Sequence, residues 1–210
     1  MKDPKCLNKL AEEFIQEFQQ VQAQLTVSWT EQLSSEVWQP PSPDVYKLNF
    51  DAVVFSGLER TGIGAIIRND KGEVMAAMFA IGPSAENSEE VELLACRRSL
   101  EFAVDVGFTS LIIEGDNVNI IQAISSSLPS HSMLVYVVDD ICHLIHGLHW
   151  PRSNQIRRGG NTVAHVLAQY ARNLDEDLFW LEDSPPPTLV ALYHDASLNF
   201  FFFFFVKVQH

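Results

Sequence analysis

The chain has 210 residues, of which 47% are hydrophobic and 20% charged, the balance of one globular domain with flanking segments and not of a disordered, collagen-like or coiled-coil protein. A net charge of −13 argues against a protein that grips nucleic acid by bulk positive charge. Three scattered cysteines, Cys6, Cys96 and Cys142, are too few for a disulfide scaffold or a zinc finger.

The opening residues MKDPKCLNKLAEEF lack the apolar core of a secretory signal, so an intracellular protein is expected. From Lys5 to Gln24, Leu7, Leu10, Phe14, Phe18 and Val21 recur every three or four residues, which predicts an amphipathic helix that docks or links. The segment Trp38-Gln-Pro-Pro-Ser-Pro43 cannot be helical, because proline removes donors and pushes its predecessor into extended geometry. It marks a boundary, giving a helix and linker over 1–37, a domain over 38–183 and a tail over 184–210.

Three strands follow. Val45–Phe55 alternates, with Tyr46, Leu48 and Phe50 on one face and Lys47, Asn49 and Asp51 on the other. Thr61–Arg68 is apolar and β-branched, and the turn sequence Asn69-Asp-Lys-Gly72 predicts that Glu73–Ile81 pairs back antiparallel. The period then becomes helical over Ser88–Val106, capped by Asn87 or Ser88 and ended by Gly107. Leu111–Glu114 reads as a short buried strand, followed by a helix to about Ile124, a loop at 125–129, a helix over Met133–Ile145 and an edge strand over Leu148–Ile156 that contains Pro151. A last helix, capped by Asn161, is predicted over Asn161–Asn173. The order predicts an α/β fold with a mixed five-stranded sheet, an antiparallel meander joined to two parallel strands through helices. Beyond residue 183, Ser-Pro-Pro-Pro and the six phenylalanines Phe200–Phe205 show no period, and a disordered tail is expected. Six residues cannot span a membrane, and no membrane partner is expected.

Three acids stand out. Asp51 interrupts a strand, where aspartate is poorly suited and loses hydration. Glu92 lies in the first turns of the helix from Ser88, and Asp116 directly follows the strand at 111–114, where α/β sheets place ligand sites. Three carboxylates gathered at one point repel one another unless a divalent cation neutralises them, and hard oxygen donors suit Mg²⁺ or Mn²⁺. Two of the three acids also have a plainer reading: Asp116 as a helix cap, Glu92 as one more surface glutamate in the run from Ser88.

The ordered pieces Trp38-Gln-Pro-Pro, Lys47-Leu-Asn-Phe-Asp51-Ala, Gly62-Ile-Gly-Ala-Ile-Ile-Arg68-Asn-Asp-Lys-Gly72, Glu92-Leu-Leu-Ala, Ile113-Glu-Gly-Asp116 and Arg158-Gly-Gly-Asn161-Thr-Val-Ala-His165-Val-Leu-Ala resemble the ribonuclease H type 1 domain, in its plant reverse-transcriptase-like, retroelement-related subfamily. The resemblance runs from Trp38 to about Asn173. It implies a ribonuclease H-like fold and hydrolysis of the RNA strand of RNA–DNA hybrids with two Mg²⁺ or Mn²⁺ ions. It further implies that Asp51, Glu92 and Asp116 are catalytic and hold the metal. The fourth acid of the family is replaced here by His165, read as a substitute acid–base group or as a sign of reduced activity.

The middle of the chain is only mildly acidic: residues 45–172 carry ten basic and fourteen acidic side chains. Arg68, Arg97, Arg98, Arg157, Arg158 and Asn161 are the candidate contacts to nucleic acid, an RNA–DNA hybrid or RNA. No separate basic module is present, and a monomer is expected. The alternative is a catalytically weakened nucleic-acid- or protein-binding module, or a retroelement relic, on the same fold.

Overall fold

Strand alternation in the first half of the domain is realised as a meander. In the computed structural model, which describes residues 37–84, 87–126 and 134–208, β1 (Tyr46–Val54), β2 (Arg60–Arg68) and β3 (Val74–Pro83) pair antiparallel. The helix expected over residues 5–24 and part of the loop expected at 125–129 lie outside the described residues. Between β2 and β3, the Asn69 side chain accepts from the backbone N–H groups of Lys71 and Glu73, and Gly72 adopts φ 78°, the left-handed geometry that favours glycine.

Helix α1 (Ser88–Asp105) begins where Asn87 accepts from the Glu90 N–H at 2.7 Å, and it stops before Gly107 at φ 87°. It returns the chain to β4 (Ser110–Gly115), parallel to β1. Helices α2 (Val118–Ser126) and α3 (Val135–His146) lead to β5 (His149–Gln155), parallel to β4 at the sheet edge, where Pro151 is tolerated. A 3₁₀ turn at Arg158–Asn161 leads into α4 (Thr162–Tyr170), and a second 3₁₀ turn covers Ala171–Asn173. The last predicted helix is thus shorter than expected, with tighter turns at both ends.

The sheet has six strands, ordered β5-β4-β1-β2-β3-β6. The expected five omitted β6 (Leu178–Leu181), which pairs antiparallel with β3. Its four residues, Leu-Phe-Trp-Leu, are apolar throughout and offer no alternation to read. One face of the sheet, with Leu48, Phe50, Ala65 and Ile67, is covered by α1, α2 and α3 through Leu100, Ile120 and Ile141. The other, with Ile66 and Phe79, meets Val163 and Leu167 of α4.

The disordered tail expected at 184–210 is instead built into this second layer. Pro186–Thr188 forms a 3₁₀ turn and Leu189–Val208 forms α5. Its apolar sequence has no stripe, so periodicity did not reveal it. Ala191 and Leu192 pack against the second core, and two polar contacts fix the helix in place. Asp195 meets Arg68 at 2.6 Å, and the Asn199 amide donates to the Trp38 carbonyl at 2.9 Å. The Arg68 guanidinium in turn lies 3.6 Å from the centroid of the Trp38 ring. The Trp-Gln-Pro-Pro segment is non-helical, as predicted, yet Trp38 is part of the core. Among the described residues, no helix is long and apolar enough to cross a membrane.

Burial pushes the Arg68 pKa down and that of Asp195 up, each against the charge of its partner. Removing one member of such a pair leaves the other charged and dry, a loss of about 3–5 kcal/mol. Asp195→Ala, or deletion of 184–210, is therefore expected to lower the urea midpoint sharply, while Arg68→Met with Asp195→Leu should recover most of the loss. Equilibrium urea denaturation of the three proteins checks this.

Candidate metal centre

The site sits where two parallel strands part. β1 and β4 remain in register only as far as Asn49 opposite Glu114. β4 then ends at Gly115, where an added Cβ would stand 2.7 Å from the Phe50 ring, so glycine lets the chain turn tightly against β1. Asp116 emerges from that turn, Asp51 stands two residues beyond the last position at which β1 pairs with β4, and Glu92 reaches in from the N-terminal part of α1. One carboxylate oxygen from each of Asp51, Glu92 and Asp116 lies within 4.8 Å of the others. The three acids singled out in the sequence thus converge at the C-terminal ends of the parallel strands, where this architecture places ligands.

Their electrostatics follow from that crowding. Loss of hydration raises the Glu92 pKa to about 8, and the charges of Asp51 and Asp116 push it the same way. Asp116 is also raised, by burial and then by Asp51, although Arg158 opposes this with its Nε 3.5 Å from Asp116 Oδ2. Three oxygen donors that repel one another, with one proton retained near neutral pH, fit a hard divalent cation well.

The fourth position is also close. His165 Nδ1 lies 2.6 Å from Asp51 Oδ2, and this hydrogen bond raises the imidazole pKa. The seat is prepared by β2. Asp51 pairs with Gly64, and a Cβ on Gly64 would come 2.2 Å from the Ala164 carbonyl oxygen and 2.4 Å from the Ala168 nitrogen. A Cβ on Gly62 would likewise come 2.1 Å from the Ala168 carbonyl oxygen. Bare glycines let α4 lie directly on β2 and hold His165 over Asp51.

A model of the family described as "Reverse transcriptase-like" matches residues 49–171, more than half of the chain. The chain belongs to the reverse transcriptase-like family. Its domain is ribonuclease H-like in fold. The ribonuclease H1 of Halobacterium salinarum superposes with a TM-score of 0.56 at 19% identity, over 61% of this chain and 97% of that one. The N-terminal ribonuclease H domain of a Mycobacterium tuberculosis protein gives 0.54 at 20%, over 60% and 91%. A ribonuclease H1 isolated from compost, solved in complex with an RNA/DNA hybrid, gives 0.52 at 17%, over 60% and 94%. No curated protein matches the chain significantly.

The ribonuclease H-like domain distributes the other predicted contacts unevenly. Arg158 pairs with Asp116 and is itself largely exposed, and Arg157 beside it is exposed too. Arg97 pairs with Glu101 and with Asp140 of α3, and Arg98 with Glu101 and with Asp177 ahead of β6. Two of the predicted nucleic-acid contacts are corrected. Arg68 is buried against Asp195, Asn49 and Trp38. Asn161 is buried as well: its amide donates to the Phe50 carbonyl at 2.9 Å, and its side chain makes no capping bond at the start of α4. Both serve the frame, because a buried guanidinium and a buried amide need internal partners.

Two neighbours escaped the sequence reading. The Gln169 amide lies 3.0 Å from His165 Nε2; it is the i+4 neighbour on the helix, so period alone could have found it. Glu114, buried, meets Lys47 at 2.6 Å and accepts from Asn49 at 3.1 Å. Lys47 and Asn49 are the two residues that share the polar face of β1 with Asp51.

A folded-state pKa of about 8 for Glu92, against an ordinary 4.5, fixes the sign of a pH effect. The folded protein binds this proton more tightly than the unfolded chain, so the associated stability is complete below about pH 4.5 and disappears as pH rises through about 8. Asp116 and His165, both raised, act in the same direction. In chelator, the melting temperature should therefore fall from pH 5 to pH 8, and Glu92→Gln should flatten the fall. Mn²⁺ should raise the wild-type melting temperature most at the alkaline end; differential scanning fluorimetry across pH measures both. A second expectation concerns the glycine seat. Gly64→Ala should destabilise by about 1–3 kcal/mol, and the His165 pKa, followed by NMR, should drop as the ring leaves Asp51.

Proposed function

We propose that this domain hydrolyses the RNA strand of RNA–DNA hybrids, using divalent ions held by Asp51, Glu92 and Asp116. The observation that carries the reading is the convergence of three carboxylates within 4.8 Å at the parting of β1 and β4. A fold shared with a ribonuclease H1 solved on an RNA/DNA hybrid supports it.

The ions, read as two Mg²⁺ or Mn²⁺, would supply an activated water and charge stabilisation at the leaving oxygen. The chain's own groups prepare that chemistry. Glu92 gives up its proton as a cation binds, since a cation outweighs the two neighbouring carboxylates. His165, with Nδ1–H donating to Asp51, fixes the orientation of that carboxylate and leaves Nε2 as an acceptor facing the Gln169 amide. If Gln169 yields to water, Nε2 is placed to take a proton. Arg158 is exposed enough to exchange Asp116 for a backbone phosphate of the substrate. The cleaved strand is RNA on this reading, and the protein acts as a monomer.

A second reading has one observation in its favour: the fourth carboxylate of the family pattern is an imidazole, held at both nitrogens. On that reading the domain binds nucleic acid or a protein partner without efficient cleavage. A labelled RNA–DNA hybrid incubated with the full-length chain decides between them. Metal-dependent cleavage that disappears in chelator and in Asp51→Asn is the expected result, with His165→Asp retaining or exceeding the wild-type rate. Hybrid binding without cleavage at any Mn²⁺ concentration would establish the second reading.

A further inference from the structure

The sheet ends at β6, and the way it ends carries information unrelated to the carboxylate site. The Glu182 N–H donates to the Met75 carbonyl at 2.9 Å, and Trp180 pairs with Ala77. By strand alternation, the backbone polar groups of Leu178 and Trp180 also face β3. Those of Phe179 and Leu181 face away from the sheet, along an edge with no further strand among the described residues. The side chains of these two residues lie on the α1 side and are 51% and 60% exposed. With Phe102 of α1 and Val106 just past its end they line a groove of about 190 Å³, flanked by Arg98 and Asp105. An unpaired edge beside an apolar groove is a template for one more strand.

Charge says which strand. Residues 173–183 hold Asp175, Glu176, Asp177, Glu182 and Asp183 and no basic residue, and Asp105 adds another acid at the rim. Arg98 is already paired with Asp177 and Glu101. A second copy of this chain, added antiparallel along β6, would set Asp175 and Glu176 against Glu182 and Asp183 of its mate, and like charges in register oppose pairing. A strand with basic ends would meet opposite charge at both ends of β6.

We infer that the groove between α1 and β6 is a docking site for an extended segment of a partner protein, added to the sheet as a seventh strand, with alternate apolar residues and Lys or Arg at both ends. The main-chain bonds to Phe179 and Leu181 supply affinity, the groove selects the apolar positions, and the acids at 175–177 and 182–183 select the flanks.

The test uses the full-length protein and a fluorescent peptide, Lys-Lys-Val-Thr-Val-Thr-Val-Lys-Lys, followed by anisotropy. Two control peptides accompany it. One replaces the four lysines by glutamate; the other, Lys-Lys-Val-Val-Val-Thr-Thr-Lys-Lys, keeps composition but loses alternation. The alternating basic peptide is expected to bind at least about tenfold more tightly than either control. Leu181→Ser, at an exposed position, should weaken it by about tenfold, and Glu182→Lys with Asp183→Lys by at least as much, with melting temperatures close to wild type. Equal binding of the two basic peptides would reduce the effect to bulk charge and overturn the proposal, as would indifference to the groove and rim variants. A concentration-dependent dimer in sedimentation, lost in Leu181→Ser, would assign the edge to a second copy instead.

Discussion

The polar face of β1 is the constraint on which the rest of this structure depends. Lys47, Asn49 and Asp51 point from the third of six strands into a region enclosed by helices and strands, where an unpartnered polar group is costly. Each therefore requires a partner: Glu114 for Lys47, Glu114 and Arg68 for Asn49, His165 for Asp51. Arg68, recruited to Asn49, carries a charge that must be answered in turn, and Asp195 of α5 answers it. A line of ionic and hydrogen-bonded contacts thus runs from β4 through β1 and β2 to the last helix. The carboxylate cluster stands at one end of the polar row on β1, and the ion pair that anchors the C-terminal helix lies at the other.

That row explains why the folded unit extends beyond the family match at 49–171. The matched segment contains Arg68 but neither the indole that stacks on it nor the carboxylate that neutralises it. Trp38 comes from before the match and Asp195 from well after it, and Asn199 joins the two flanks directly. The flanks complete the buried electrostatics of the central sheet. Aromatic packing reinforces them: Trp180 of β6 lies edge-on to Phe79 of β3, with ring centroids 4.6 Å apart.

Much of this was legible in the sequence, for reasons that differ by element. Alternation in Val45–Phe55 identified both the strand and the anomaly within it, since Asp51 breaks a rule that local propensity enforces. Asn87 and Gly107 marked the ends of α1 by their own side-chain and backbone chemistry. β6 and α5 were not legible. Leu-Phe-Trp-Leu is too short and too uniformly apolar to show a period, and α5 is held by long-range contacts that no local window contains, Asp195 to Arg68, Asn199 to Trp38 and the packing of Ala191 and Leu192. The same limit misassigned Arg68: charge and position on a strand end suggest a phosphate contact, and only tertiary structure reveals the buried acid. Asn161 was read as a helix cap because its residue type favours caps. Its amide is instead spent on the Phe50 carbonyl, next to Asp51.

His165 changes the character of the site more than its place in the family pattern suggests. A fourth carboxylate would add a negative charge to a cluster in which Glu92 already holds a proton up to about pH 8. An imidazole adds none when neutral, and when protonated it offsets the charge of Asp51. The cluster is therefore less repulsive without cations than a four-acid version would be, and it offers cations one fewer anionic oxygen donor. Arg158, 3.5 Å from Asp116, shifts the balance in the same direction. A ring at this position lessens the repulsion among the carboxylates, and α4 sets its place through its contact with β2. Because Gly62 and Gly64 admit the helix backbone to close range, the ring of His165 reaches Asp51 while staying partly exposed. Two residues with no side chain thus set how closely the imidazole faces the carboxylates of this domain.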